Sequence, residues 1–214
     1  TMIYITESKM NCIAPRSFLT FLCLVGFFLF FINSPVQSAS IDLPKTGQTA
    51  CYNSTGAIVP CLGTGQDGDR LAGVAWPNPR FTTDVSLQCI TDNLTGLTWA
   101  RDFSALGGTW PNVVTSLPTT FFACGLDGWR IPNINELQSL INAGQPDNAL
   151  WLALQGFNFP ISAELPYWTS TSSADNPTVN SWVVDMVGGS VFPDNKGITY
   201  FVWPVRGTSN PSLP

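Results

Sequence analysis

Gly125-Leu126-Asp127-Gly128-Trp129-Arg130-Ile131-Pro132-Asn133-Ile134-Asn135-Glu136-Leu137-Gln138-Ser139-Leu140-Ile141 joins a glycine turn, a Trp-Arg pair, a proline-limited corner and the start of an amphipathic helix. Asn133 is placed to act as N-cap, and Glu136 three residues on can reach back to the cap's own N–H, a capping box with Asn in place of Ser or Thr. Leu137, Leu140 and Ile141 fall on one helical face, and Gly144 is expected to close the helix in the left-handed conformation. The stretch therefore reads as turn, corner, helix.

Upstream, the pattern is first a leader. Arg16 precedes an almost wholly apolar run from Phe18 to Ile32, and Val36-Gln37-Ser38 and Ser38-Ala39-Ser40 offer small residues where a signal peptidase reads. Residues 1–40 are expected to be a signal peptide, with Met10 an equally good start and residues 1–9 an upstream extension. The rival is an N-terminal anchor, because the run falls just short of the roughly 18–20 residues of a spanning helix. With the leader cleaved, no stable membrane span is expected, and the chain is placed as secreted, periplasmic or cell-surface. The remaining chain is one domain's worth of residues.

Four of the 6 cysteines and all 8 tryptophans follow the leader, and the chain has no histidine. In an exported chain Cys51, Cys61, Cys89 and Cys124 read as two bridges, with three pairings open in principle. The expected pairing is Cys51–Cys61, closing a short local loop, with Cys89–Cys124, tying a strand to the turn before Gly125. A zinc site lacks its ligands: there is no Cys-x-x-Cys pair and no His. With Lys9, Arg16 and Glu7 set aside, the formal charge is −6. Nucleic acid is thereby excluded as a partner, since phosphate contacts need clustered Lys and Arg.

Residues 41–79 read as a disulfide-closed N-terminal extension. In it, Gly63-Thr64-Gly65-Gln66-Asp67-Gly68-Asp69 sets Asp67 and Asp69 among glycines, the pattern of a calcium loop, although no Glu closes it at the EF-hand distance. A solvated turn is the competing reading; calcium is the only cofactor left open. From Arg80 on, Arg80-Phe81-Thr82, Leu87 to Thr91 and Leu97 to Arg101 carry the β-branched and aromatic alternation of half-buried strands, with Asp92-Asn93-Leu94-Thr95-Gly96 as a hairpin turn and Trp99 toward the core. Thr109-Trp110-Pro111 can start a short helix through Leu117, against the β-branched run at 113–115. Residues 144–164 read as loop with apolar turns around Trp151-Leu152. Tyr167 to Ser172, Ser181 to Met186, Ser190 to Phe192 and Thr199 to Val205 complete a β-rich C-terminal half. One or two helices among short antiparallel strands make an α+β domain.

Four motifs, Thr91-Asp92-Asn93-Leu94-Thr95-Gly96-Leu97-Thr98-Trp99, Gly128-Trp129-Arg130-Ile131-Pro132-Asn133 with Glu136-Leu137, Tyr167-Trp168-Thr169-Ser170-Thr171 and Trp203-Pro204-Val205-Arg206-Gly207, resemble in that order the bacterial family named after the C-terminal domain of the Legionella collagen-like adhesin, here residues 80–214. The resemblance implies a C-type-lectin-like fold, related to the scaffolds of the formylglycine-generating enzyme and the Fibrobacter major paralogous domain. In the adhesin the domain is associated with sulfated glycosaminoglycans and surface attachment. The charge of −6 and the lack of a collagen-like repeat depart from that pattern. Neither the Glu-Pro-Asn nor the Gln-Pro-Asp triplet with which calcium-dependent lectins hold a sugar is expected in the chain, so that site is not carried over.

Candidate ligand-binding residues are Trp129, Arg130, Trp168 and Asp185, because an aromatic face packs on a sugar ring while polar groups take its hydroxyls. The competing reading makes both tryptophans core residues and pairs Arg130 and Arg206 with Glu136, Asp92 or Asp102. Asp92, Asn93, Trp99, Asn133, Glu136, Trp203 and Arg206 are expected to be structural. A hydrolase would need Glu136 with Asp127 or Asp185, yet Glu136 is already accounted for by the cap, and neither His nor a free thiol is at hand. The expectation is a secreted, noncatalytic domain that recognises a glycan or a surface protein; the alternative is a structural or assembly module, homo-oligomers included.

Overall fold

The computed structural model describes residues 43–103, 106–158 and 166–207, so the expected leader lies outside the described residues. In chain order the elements are β1 (Cys51–Tyr52), β2 (Ile58–Val59), α1 (Asp67–Arg70), β3 (Phe81–Thr83), β4 (Cys89–Asp92), β5 (Thr98–Ala100), β6 (Gly107–Thr109), α2 (Trp110–Thr120), α3 (Ile134–Gln138), α4 (Asn148–Leu154), β7 (Tyr167–Ser172), β8 (Asn180–Val184), β9 (Val191–Asn195), β10 (Thr199–Phe201) and β11 (Val205–Arg206). The domain is α+β, mostly strands, with four helices among the described residues and the two expected disulfides, Cys51–Cys61 and Cys89–Cys124. On chain-entropy grounds the longer loop gains about 4 kcal/mol from its closure.

The hairpin at Asp92 forms as its residues dictate. The Asp92 carboxylate accepts from the Leu94 N–H at 2.9 Å, and the Gly96 N–H returns to the Asp92 carbonyl at 2.8 Å. β4 and β5 so joined lie inside a four-stranded sheet ordered β11-β5-β4-β3, and a five-stranded sheet runs β6-β10-β7-β8-β9, with β7 and β10 its parallel pair.

Successive residues of a strand face opposite ways, and here both faces are buried. Trp99, Tyr167, Val184 and Trp203 join one apolar cluster with Phe103, Leu137, Leu140, Leu152 and Met186. Their chain neighbours Ala100, Trp168, Val183 and Val202 join the other, with Trp129, Ile131 and the Val113 and Leu117 face of α2. The first cluster is aromatic at its centre, with Phe103 stacked on Trp203 at 4.3 Å between ring centroids and Trp99 edge-on to Trp203 at 5.5 Å.

Several sequence expectations are corrected. The helix after Asn133 ends at Gln138, and Gly144 has no positive φ; it is needed for close approach, since a Cβ there would lie 2.3 Å from the Gly47 carbonyl oxygen. Leu87 is not in a strand but at φ +57° in a turn before β4. The stretch expected as loop contains α4, whose N-cap Asp147 accepts from the Leu150 N–H. Thr199 to Val205 is two strands in two sheets, because Val202 to Pro204 carries the chain across the core. α2 runs further than expected, to Thr120, with Pro118 tolerated within its last turn.

The extension packs on the rest. The Ala143 N–H reaches the Thr46 carbonyl at 2.9 Å, Trp76 meets Trp151 at 5.6 Å between centroids, and the Arg80 guanidinium lies 4.3 Å over the Trp76 ring. Gly47 and Gly144 are the point of closest approach, which gives a direct test. Gly144→Ala is expected to lower the unfolding free energy by about 1–3 kcal/mol through overpacking, read by chemical denaturation, whereas Gly63→Ala, with nothing within 4 Å of its added Cβ, carries only the cost of its positive φ.

Candidate functional site

The opening corner is built around one carboxylate. Asn133 Oδ1 accepts from the Glu136 N–H at 2.9 Å and Glu136 Oε2 from the Asn133 N–H at 2.8 Å, the expected capping box. Glu136 also takes Arg130 in a fork, Nη1 to Oε2 at 2.7 Å and Nη2 to Oε1 at 2.6 Å, and Arg130 Nη2 donates on to the Gly207 carbonyl. Donation to the Glu136 carboxylate raises the Arg130 pKa above its usual value, which keeps the guanidinium charged. Arg130 is thus engaged in holding the fold.

The tryptophan candidates are corrected. Trp129 and Trp168 are 1% and 0% exposed, and their indole N–H groups are bonded to the Leu126 and Gly108 carbonyls. Trp129 packs edge-on against Phe121, and Trp168 lies tilted against Tyr200, so neither face is open to a sugar. Asp185 accepts from the Val187 and Gly188 N–H groups at 2.9 and 3.0 Å, closing the β8–β9 turn. The four candidates share no contact that would make a single site.

Asp67 accepts from the Thr46 hydroxyl and Asp69 from the Gly65 N–H at 3.0 Å, so both carboxylates brace the extension. The expectation that no lectin triplet occurs is corrected: Gln145-Pro146-Asp147 spells one, and its Asp147 caps α4. Among the described residues only Asp84, Cys89 and Cys124 cluster as metal ligands would. The two cysteines are bonded to each other, and Asp84 accepts from the Ser86 hydroxyl and from the N–H groups of Ser86, Gln88 and Cys89. Those bonds, the Ser86 hydroxyl first, hold the Asp84 carboxyl down at about 2, and they fill its lone pairs.

Of the structural residues, Asn93 donates to the Pro79 carbonyl and to Thr82 Oγ1. Asp92 takes Arg80, not Arg130 or Arg206, in a buried pair with contacts at 3.4 and 3.3 Å. Arg206 enters neither ion pair among the described residues, and its Nε is buried without a hydrogen-bond partner there. Trp203 donates to the Ala100 carbonyl, and both Trp99 and Trp203 are fully buried, as expected.

The solvent-facing chemistry lies elsewhere, at the β9–β10 turn. Lys196 Nζ sits 3.9 Å over the half-buried Trp110 ring and donates to Ser172 Oγ and the Pro177 carbonyl. Beside it Tyr200 donates to Asp194 at 2.6 Å, which raises the Tyr200 pKa to about 12. This group of aromatic, amino, hydroxyl and carboxylate functions went unnoticed in the sequence; the only local signal was the turn Asp194-Asn195-Lys196-Gly197. Under α2, a small depression of about 110 Å³ is lined by Val113, Leu117, Phe121 and Val202 together with Ser116 and Thr120.

A family model described as the Lcl C-terminal domain matches residues 88–206. No curated protein matches the chain. Two tests follow from the geometry. Arg130→Ala leaves the buried Glu136 with only its capping bonds and is expected to lower the unfolding free energy by about 2 kcal/mol, with Arg130→Lys intermediate because the fork is lost. The Tyr200 bond has a raised folded pKa, so its contribution is complete below the unfolded value near 10 and is lost as pH rises through about 12. Asp194→Asn should therefore bring the Tyr200 ionisation midpoint down, read by ultraviolet difference titration.

Proposed function

The chain belongs to the Lcl C-terminal domain family, and from that premise we propose that it is a secreted, noncatalytic recognition domain whose ligand is a surface or extracellular glycan. A C-type-lectin-like arrangement of the two sheets is part of the same reading. The observation that carries it is the engagement of the motif residues. Glu136 is held by Arg130 and by its own cap, Asp185 by a turn, and Trp129 and Trp168 by the core. Such groups serve neither as acid and base nor as a stacking platform. The partly exposed Trp110, Asp194, Lys196 and Tyr200 join an aromatic edge to donors and acceptors, the combination that grips a sugar. Two disulfides fit an oxidising compartment, and no described helix is long and apolar enough to cross a membrane.

A second reading, an assembly module, is favoured by α4, where Leu150 and Leu154, one turn apart, are 60% and 78% exposed. A glycan array on the exported chain separates the two. Binding is expected to survive chelation, since Asp67 and Asp69 are engaged, and to fall at least about tenfold in Trp110→Ala and in Tyr200→Phe, the second of which keeps the core intact. Concentration-dependent self-association without glycan binding, abolished by Leu150→Ser and Leu154→Ser, would establish the assembly reading instead.

A further inference from the structure

The chain contains two Asn-x-Ser/Thr tripeptides in which x is not proline, Asn53-Ser54-Thr55 and Asn93-Leu94-Thr95, and the structure treats them differently. We propose that Asn53 is an acceptor for N-linked glycosylation and that Asn93 is not. Asn53 sits at the turn of the β1–β2 hairpin, closed at its base by Cys51–Cys61, and Asn53, Ser54, Thr55 and Gly56 are all exposed. Its Oδ1 accepts three bonds, from the Thr55 N–H at 3.0 Å, the Thr55 hydroxyl at 2.8 Å and the Ala57 N–H at 2.9 Å. The carbonyl side of the amide is thereby fixed, while Nδ2 donates to no described residue and stays with solvent. Asn93 is the reverse case, its Nδ2 donating to the Pro79 carbonyl at 3.0 Å and to Thr82 Oγ1 at 2.8 Å, where it locks the Asp92 hairpin.

The motif has a mechanical meaning in this geometry. A hydroxyl donated to Oδ1 draws electron density through the amide and eases loss of a proton from Nδ2. The donor is a sugar carried at its anomeric carbon on a phosphate or pyrophosphate leaving group. Nδ2 attacks that carbon, the N–C bond forms as the C–O bond to phosphate breaks, the bonding pair leaves with the phosphate, and one amide proton passes to the transferase. No electrons change hands. A glycan there would cover Tyr52 and Ile58, which are 40% and 75% exposed on the same hairpin, with the bulk and solubility a surface glycan brings.

The test is intact-mass measurement and peptide mapping of the full chain recovered from the cells that naturally make it. A mass addition on the peptide containing Asn53 is expected, a single sugar indicating a nucleotide-sugar donor and a complete oligosaccharide a lipid-pyrophosphate donor. Thr55→Ala should remove it, Thr55→Ser should retain it, and Asn93→Gln should leave it unchanged. Wild-type protein with unmodified Asn53, persistence of the addition in Thr55→Ala, or modification at Asn93 overturns the proposal. Glycan-array binding by the unmodified chain reports separately on the function proposed above.

Discussion

Glu136 is the group on which three parts of the chain converge. Its carboxylate closes the cap of α3, holds both Arg130 nitrogens, and through Arg130 reaches the Gly207 carbonyl at the end of β11. The Arg130 backbone exchanges N–H and carbonyl bonds with Val205, so the corner is also paired to that strand. A carboxylate with its side chain 6% exposed is tolerable only when charge and lone pairs are both met. Here they are, and the requirement fixes the angle at which the corner enters α3.

That corner matters because it lies between two cores. Strands buried on both faces need apolar residues in succession, and Trp99-Ala100, Tyr167-Trp168, Val183-Val184 and Val202-Trp203 supply them. A one-residue register slip would exchange a tryptophan for a much smaller side chain at Trp99-Ala100 and at Val202-Trp203, so packing constrains the register along with the hydrogen bonds. Arg80 and Asp92 provide the second charged clamp, on the side where the extension arrives, with Trp76 over the guanidinium. The region matched by the family model starts at residue 88, downstream of β3 and Arg80, yet the edge strand and the partner of Asp92 come from there.

Features decided within a few residues were legible. The Asn133–Glu136 box, the Asp92–Gly96 turn and the core position of Trp99 follow from spacing and residue type, and that of Trp203 from the motif it shares with the family. What escaped depends on distant parts of the chain. Nothing local announces that Gly144 serves an approach by Gly47, that Arg80 rather than Arg130 or Arg206 takes Asp92, or that Val202 to Pro204 must cross between sheets. α4 was hidden by its composition: Asn148-Ala149-Leu150-Trp151-Leu152-Ala153-Leu154 is apolar on every face and has too few turns to show a period. For the candidate site the difficulty was of another kind. Trp beside Arg reads as a core residue beside its clamp or, less readily, as a ligand grip, and burial decides for the first.

The same distinction limits what family membership says about ligand. The tryptophans and charged residues of the four motifs maintain corner, hairpin and core, so sharing them predicts sharing the scaffold. Recognition then has to come from side chains outside the motifs or at their margins. Trp110, Asp194, Lys196 and Tyr200 lie outside all four, on a helix start and a turn at the margin of the second core, against which Trp110 and Tyr200 pack. A scaffold held by buried clamps and two disulfides leaves such surface positions free to vary, and the charge of this chain is a sign of that freedom. Polyanion binding needs clustered basic groups, whereas this turn offers one lysine already engaged by Ser172 and Pro177. On the recognition role proposed above, the ligand this turn would take is a neutral sugar, selected by ring stacking and hydroxyl geometry and not by charge.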